Sequence, residues 1–418
     1  MHIAELYELY KQYPSVQTDT RKLKPGDLFF ALKGDNFNGN KFASAAIEAG
    51  AAYAIIDEPA FEIPGRTILV DDVLSALQDL AGHHRAQFDI PFIAITGSNG
   101  KTTTKELIHA VLSTAFITYT TEGNLNNHIG IPLTLLKIKP DAQMAVIEMG
   151  ANHLHEIAGY CVYANPTHGL ITNAGKAHLE GFGGPENVIK GKGELFDHLR
   201  SRTNGFAFVN WDYPYLHELS KGISGIIKYG TTSSDAHVVG HVLKNDPLLE
   251  VEITLGFEEK IIRTNLVGEY NLPNILAAVT IGKYFEVSEP LIREALENYT
   301  PSNSRSQLKK IGSNQVILDA YNANPSSMKL AIENFATVDA PSKVLMVGAM
   351  AELGTHSMDE HRAIIELIGQ YKWRHVALIG GDFQRIDHPY LKFDNAGQAR
   401  EWFVSQNFDN TFFLVGKP

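Results

Sequence analysis

One cysteine, Cys161, is present in 418 residues. An internal disulfide is therefore impossible, and no cysteine pair exists to form a zinc knuckle or a redox motif; a reducing compartment fits. Long apolar runs are also missing, since no stretch approaches the ~20 uninterrupted apolar residues of a membrane-spanning helix. The opening segment, 1–14, mixes Glu5, Glu8 and Lys11 among its apolar residues and lacks the apolar core of a secretory signal. Positive charge is in deficit: 36 Lys and Arg stand against 47 Asp and Glu, for a net charge of −11. Acids spread along the chain argue against a nucleic-acid surface and favour solubility without naming a partner. Internal repeats and low-complexity segments are absent. A cytoplasmic protein with no membrane insertion and no nucleic-acid partner is expected.

The chain is long enough for two or three domains, each with its own core. Short apolar segments (52–56, 68–70, 93–96, 144–148 and 169–172) alternate with helical stretches (40–49, 72–88 and 105–114). That alternation predicts α/β units around largely parallel sheets. A first break is expected at 87–91, just before an apolar strand, and a second at 297–304, a polar stretch that contains Pro301. Beyond it, Val344–Gly348, His375–Gly380 and Thr411–Gly416 each run apolar residues into a glycine, as strands of an open sheet do before a ligand-side loop.

The most informative segment is 93–105. An apolar strand delivers the backbone into Gly97-Ser98-Asn99-Gly100, and Lys101-Thr102-Thr103 then open a helix. Glycines allow a tight turn with exposed N–H groups, the helix start adds its positive dipole, Lys101 adds a point charge, and Thr102 offers a hydroxyl to Mg²⁺. These features suit a nucleoside triphosphate. The general phosphate-loop pattern requires glycine where Ile95 stands, so this loop is shorter than usual.

Other segments place polar groups at strand ends. Glu148 closes the apolar strand 144–148, on the edge that faces the crevice in an open sheet, and is a candidate to hold Mg²⁺. His178, in the glycine-rich loop after strand 169–172, could ligate a second metal or merely cap a turn. Lys192 lies near the start of a helix. A lysine beside a helix dipole and cations resists protonation, and a neutral amine can take up CO₂ to become a carbamate; a solvated helix lysine is the plainer alternative. The amides of Asn124, Asn126 and Asn127 suit a sugar-phosphate or peptide ligand, or form a turn. Asp319, at the end of strand 316–319, could hold a ribose. Tyr321, Asn322 and Asn324 follow it, and Asn324-Pro325-Ser326 also reads as a helix N-cap.

Together these segments resemble the Mur ligases, ATP-dependent amide-forming enzymes of peptidoglycan synthesis. The resemblance runs through most of the chain: Asp19-Thr20-Arg21, 25–34, 96–103, 123–127, 148–152, 177–183, 192–196, Gly268–Asn274 and 321–325. The shortened phosphate loop is the family's own form. The runs 124–127 and 321–325 point to the members that add D-Ala-D-Ala to UDP-MurNAc-tripeptide.

The resemblance implies three domains: 1–88, a small α/β domain binding the UDP substrate through Thr20 and Arg21; 89–300, a central phosphate-loop ATPase domain; and 301–418, a Rossmann-like domain. It further implies that Gly97, Ser98, Asn99, Gly100, Lys101, Thr102 and Thr103 hold ATP phosphates. Asn271, Asn274, Arg305 and Asp319 would contact adenine, phosphates and ribose. Thr102 and Glu148 would ligate one Mg²⁺, and His178 with carbamylated Lys192 a second. Lys101, His178 and Lys192 would be catalytic, while Asn124, Asn126, Asn127, Tyr321, Asn322 and Asn324 would face the substrates. A monomer is expected. A sister ligase of the superfamily, such as the third-residue enzyme or a folylpolyglutamate synthetase, and a non-catalytic nucleotide-binding regulator are the competing readings.

The chain departs from the family pattern at His128, where an acid is common, at Leu154-His155 in place of Pro-Gly, and at Ser304 in place of glycine. It also ends at Pro418, where the family usually continues into a basic Gly-Ser-Arg-Gly segment.

Overall fold

The computed structural model describes residues 2–232, 234–302, 305–319 and 322–416. Mixed α/β architecture is built on three parallel-rich sheets. The first has four strands in the order Val16–Gln17, Leu28–Phe30, Tyr53–Ile56 and Thr67–Leu69, all parallel. The second has nine strands. Its parallel part runs Gly225–Gly230, Phe206–Asn210, His168–Ile171, Phe92–Thr96, Met144–Glu148, Thr118–Thr120. Val238–Asn245 joins Gly225–Gly230 in parallel, and Leu248–Leu255 and Ile261–Val267 extend the sheet from it through antiparallel pairs, an extension the alternating α/β pattern did not foretell. The third sheet has six strands, ordered Gln307–Ile311, Asn314–Asp319, Phe412–Gly416, Lys343–Gly348, His375–Ile379, Leu391–Phe393, parallel except for the first pair.

Central strands Phe92–Thr96 and Met144–Glu148 are buried at every position. Parallel strands covered by helices on both faces read as continuous apolar runs for this reason, which is why the sequence located them closely.

Helix starts were less legible. The segment 40–49 divides into a 3-10 turn, Gly39–Phe42, and a helix, Ala43–Glu48. Asn38 Oδ1 accepts the Asn40 N–H at 3.0 Å, and the Asn40 amide donates to Asp57 at 2.8 Å, which holds the first turn in the tighter winding. The phosphate-loop helix begins at Lys101 and ends at Leu112. Its first turn holds Thr102, Thr103 and Thr104, poor helix formers whose burial overrides their propensity. The helix expected over 72–88 spans Val73–Arg85, with Asp72 capping it by accepting the Ser75 N–H at 2.7 Å.

Strand order creates the site. After Phe92–Thr96 the chain adds Thr118–Thr120 and Met144–Glu148 on one side, then crosses to place His168–Ile171 on the other. The carboxyl end of Phe92–Thr96 is thus a topological switch point, where an open α/β sheet leaves a crevice for ligands.

Candidate active site

The phosphate loop is braced by the neighbouring strand end. Ser98 N–H donates to Asn173 O at 2.9 Å, and Asn99 N–H to Asn173 Oδ1 at 3.1 Å. Thr172 Oγ1 donates to Asn99 O at 2.6 Å, and Ser98 Oγ to Gly175 O at 3.0 Å. Two glycines are required here on geometric grounds. Gly97 has φ 145°, and a Cβ on it would lie 2.0 Å from Thr172 Oγ1; Gly100 has φ 82°, and its Cβ would lie 2.7 Å from Asn274 Oδ1.

Lys101 folds back over this loop, donating to Gly97 O at 2.7 Å and Ser98 O at 3.3 Å. Burial lowers its pKa; the Glu148 charge opposes the shift and Arg305 adds to it. Thr102 is buried at the helix start.

Glu148 is 1 % exposed. Its Oε1 accepts from Asn126 Nδ2 at 2.7 Å, while Oε2 is buried with no hydrogen-bond partner. A buried carboxylate oxygen left without a donor is costly, and a cation is the group that would satisfy it. Among the described residues no three His, Cys, Asp or Glu side chains gather to hold a metal ion by themselves. That arrangement fits Mg²⁺, which commonly binds through one or two carboxylates with phosphate oxygens and water completing its shell. Glu148 and the Thr102 hydroxyl are the residues that fit it.

Lys192 is fully buried in the helix Pro185–Ser201, which overturns the solvated alternative. Its Nζ donates to Ala151 O at 2.8 Å and lies 5.0 Å from the Phe182 ring centre. Burial holds its pKa well below the usual lysine range, and the Lys101 charge pushes the same way against Glu156 and Glu194. The shift moves the amine toward its neutral form, which is the chemical precondition for carbamate formation. The Ala151 loop is anchored by two carboxylates that sequence reasoning missed. Glu156 accepts the N–H groups of Asn152 (2.6 Å) and His153 (3.0 Å), and Glu194 those of His155 (2.6 Å) and Ala158 (2.9 Å).

His178 has φ 53° and stands at the start of the short helix Leu179–Phe182, but its side chain makes no capping bond, so the ring is not there to cap the turn. Its Nδ1 instead meets the Glu352 carboxylate. Burial lowers its pKa, Glu352 opposes the shift, and both Lys101 and Lys192 repel the protonated ring.

The amide run divides its labour. Asn126 orients Glu148, and Asn127 Oδ1 accepts the N–H groups of Ile129 (3.1 Å) and Gly130 (2.9 Å) at the start of the helix Gly130–Leu135, leaving Asn124 exposed. Asn271 and Asn274 are buried behind the loop. Asn274 accepts from Thr104 Oγ1 at 3.0 Å and donates to Asn271 Oδ1 at 2.9 Å, so much of their capacity goes to tying the two helices together.

The third sheet reaches the same place. Asn324 caps the helix Pro325–Thr337 by accepting the Ser327 N–H at 2.9 Å, and its Nδ2 donates to Asn99 Oδ1 at 2.6 Å, so cap and loop contact coexist. Asp319 lies at the end of its strand with its carboxyl pKa raised by burial, against the Ser306 N–H and Arg305. Asn322 is exposed; Tyr321 and Ser304 lie outside the described residues. Thr20 and Arg21 stand apart, by the first sheet. The Arg21 guanidinium binds Asp19 through Nε (2.9 Å) and Nη2 (2.8 Å), and Asp19, held down to about 2 chiefly by this bond, caps the turn Thr20–Lys22.

Fold and site thus define a nucleotide-type phosphate loop in a three-domain α/β protein whose last domain docks on that loop. Family models match throughout: the Mur ligase family catalytic domain at 12–85, the Mur ligase middle domain at 95–282, and the Mur ligase glutamate ligase domain at 304–404. The chain belongs to the Mur ligase family. It is 37% identical over 349 residues to the UDP-N-acetylmuramoyl-tripeptide--D-alanyl-D-alanine ligase of Escherichia coli, covering 82% of this chain and 76% of that protein. Identity to the Bacillus subtilis enzyme of the same name is 36% over 343 residues, covering 81% and 74%. The crystal structure of MurF from Acinetobacter baumannii superposes with a TM-score of 0.85 at 27% identity, covering 98% of this chain and 95% of that one.

Proposed function

We propose that this chain joins D-Ala-D-Ala to UDP-MurNAc-tripeptide at the expense of ATP, the reaction that its curated relatives' names describe. One observation carries the reading. A nucleotide loop, a buried carboxylate with one oxygen unsatisfied, and a buried lysine disposed to be neutral share one sheet edge, in a chain that matches those ligases over four fifths of its length. A binder that had lost catalysis would gain nothing from keeping a desolvated amine there.

In this reading the terminal carboxylate of the tripeptide attacks the γ-phosphorus of ATP, and the bond to the leaving ADP breaks. The acyl phosphate formed is attacked at its carbonyl carbon by the free amine of D-Ala-D-Ala; phosphate leaves and the nitrogen loses a proton. No protein nucleophile is required, so catalysis rests on positioning and charge neutralisation. The loop N–H groups of 97–103 and Lys101 bind the phosphates, with Lys101 exchanging its contacts to Gly97 and Ser98 carbonyls for phosphate oxygens. Two Mg²⁺ ions would neutralise developing charge, one held by Thr102 and Glu148, the other by His178 and a Lys192 carbamate. Thr20 and Arg21 would grip the UDP moiety, and Asn124, Asn322 and Tyr321 would face substrate. Asn271, Asn274, Arg305 and Asp319 would border the nucleoside, and docking of the last domain excludes water from the acyl phosphate. Domain limits of 1–88, 89–300 and 301–418 follow, and a monomer suffices. The set needs no membrane anchor, and among the described residues no helix is long and apolar enough to cross a membrane.

The test is phosphate release with UDP-MurNAc-tripeptide, with and without D-Ala-D-Ala, and mass detection of the pentapeptide product. Release that needs both substrates supports the reading. Turnover with a different amine would move the chain to a sister ligase, and no turnover with any amine would refute catalysis.

A further inference from the structure

Glu352 follows strand Lys343–Gly348 in the third sheet, 174 residues from His178, yet it grips the His178 loop twice. Its carboxylate meets His178 Nδ1, and its backbone carbonyl accepts the Glu180 N–H at 3.2 Å. A carboxylate only accepts, so the proton sits on Nδ1 and the Nε2 lone pair is left for a ligand. Both residues are non-glycines in the left-handed region, Glu352 at φ 60° and His178 at φ 53°. Such backbone is strained for a side-chain-bearing residue and persists where surrounding structure over-determines it, as at ligand clamps and switches. The same loop is seated on the last domain by contacts that leave His178 untouched: Lys176 Nζ with Glu360 at 2.6 Å, and Lys176 N–H to Ser326 Oγ at 3.0 Å.

We propose that Glu352 is a positioning residue for His178. It fixes the ring's tautomer and aim only while the last domain is docked, so the second metal position is completed by domain closure. A carboxylate behind a ligating histidine performs this task at many metal sites, by fixing ring orientation and raising ligand basicity. Here the carboxylate and the ligand come from different domains. An undocked third domain would leave His178 free to rotate and Nε2 mis-aimed, which ties ion capture to closure. The inference rests on the reading of His178 as metal-facing.

The test measures Mn²⁺ binding rather than turnover, by electron paramagnetic resonance of free Mn²⁺ with the full chain, a non-hydrolysable ATP analogue and UDP-MurNAc-tripeptide. Glu352→Ala should weaken the second Mn²⁺ by about 10- to 100-fold. Glu352→Gln, whose Oε1 still accepts from Nδ1–H, should recover most of that loss. Glu360→Ala, which breaks a neighbouring domain contact alone, should bind as wild type does. Wild-type affinity in Glu352→Ala would overturn the proposal, as would equal weakening in Glu360→Ala, which would make Glu352 a domain contact only. If Glu352→Ala fails to fold, an unweakened second ion in Glu352→Leu overturns it. A wild-type chain that binds only one Mn²⁺ sinks the metal-facing reading of His178 and the proposal with it. A wild type that binds two ions without ligating D-Ala-D-Ala sinks the substrate assignment and leaves the proposal standing.

Discussion

His168 opens the strand that leads into the Thr172-Asn173 brace of the phosphate loop, and it makes the fold acid-sensitive. Its ring stacks on Phe206 and Phe208, with centroids 5.4 Å and 6.1 Å away, while the Thr167 and Tyr284 hydroxyls approach its nitrogens at 2.8 Å and 3.4 Å. Burial, then the charge of Arg202, push its pKa down to about 4 from 6.5. Between these two values the unfolded chain binds a proton that the folded chain refuses. Stability is therefore fully present above pH 6.5 and is lost as pH falls toward 4. At about 1.4 kcal/mol per pH unit the gap amounts to about 3 kcal/mol, of which about 2 kcal/mol is already lost at pH 5. His168→Gln keeps a polar tip for both hydroxyls and cannot titrate. It will cost some stability at pH 8 through lost stacking, but its further loss on going to pH 5 should be about 2 kcal/mol smaller than that of the wild type. Urea unfolding at both pH values, followed by circular dichroism, measures this difference. Equal acid losses in the two proteins would refute the reasoning, because the histidine would then be titrating as it does in water.

Gly97→Ala would place a Cβ 2.0 Å from Thr172 Oγ1. Displacing the loop by ~1 Å should lower kcat by about 10²-fold with the circular dichroism spectrum unchanged, and wild-type kcat would contradict the close approach. Glu148→Gln keeps the acceptor for Asn126 while removing a desolvated charge. Turnover should fall by about 10²-fold while the nucleotide-free melting temperature holds or rises; a lower melting temperature would show that the carboxylate is satisfied in the resting protein. His155, at φ 71° in the place where the family pattern has glycine, makes its bond to Glu194 through its backbone N–H. His155→Gly should therefore stabilise the chain by about 0.5–1 kcal/mol, read as a small rise in melting temperature, and a fall would mean that the imidazole contributes more than its exposure suggests.

The parts of this protein that sequence determined are those whose physics is contiguous. Strands buried on both faces announce themselves as apolar runs, and the phosphate loop is one segment in which glycines, lysine and threonines act on the same ligand, so 93–105 was legible without any partner. Glu148 was legible because position at the carboxyl end of a strand predicts what it faces. The same rule, carried past Gly348, would have flagged Glu352.

Tertiary structure decided what each polar side chain does with its hydrogen bonds. Nothing in the sequence pairs Asn126 with Glu148, 22 residues away, or Asn274 with Thr104; the fold sets these partners at 2.7 Å and 3.0 Å. Lys192 looked the same in sequence as a solvated helix lysine. Only burial beside Lys101, which desolvates the amine and repels its proton, makes it a chemical group. His178 gained its partner from another domain, across 174 residues that no local pattern spans. Backbone conformation is governed by neighbours in the chain and can be read there; desolvation and charge coupling depend on neighbours in space, and those exist only once the chain has folded.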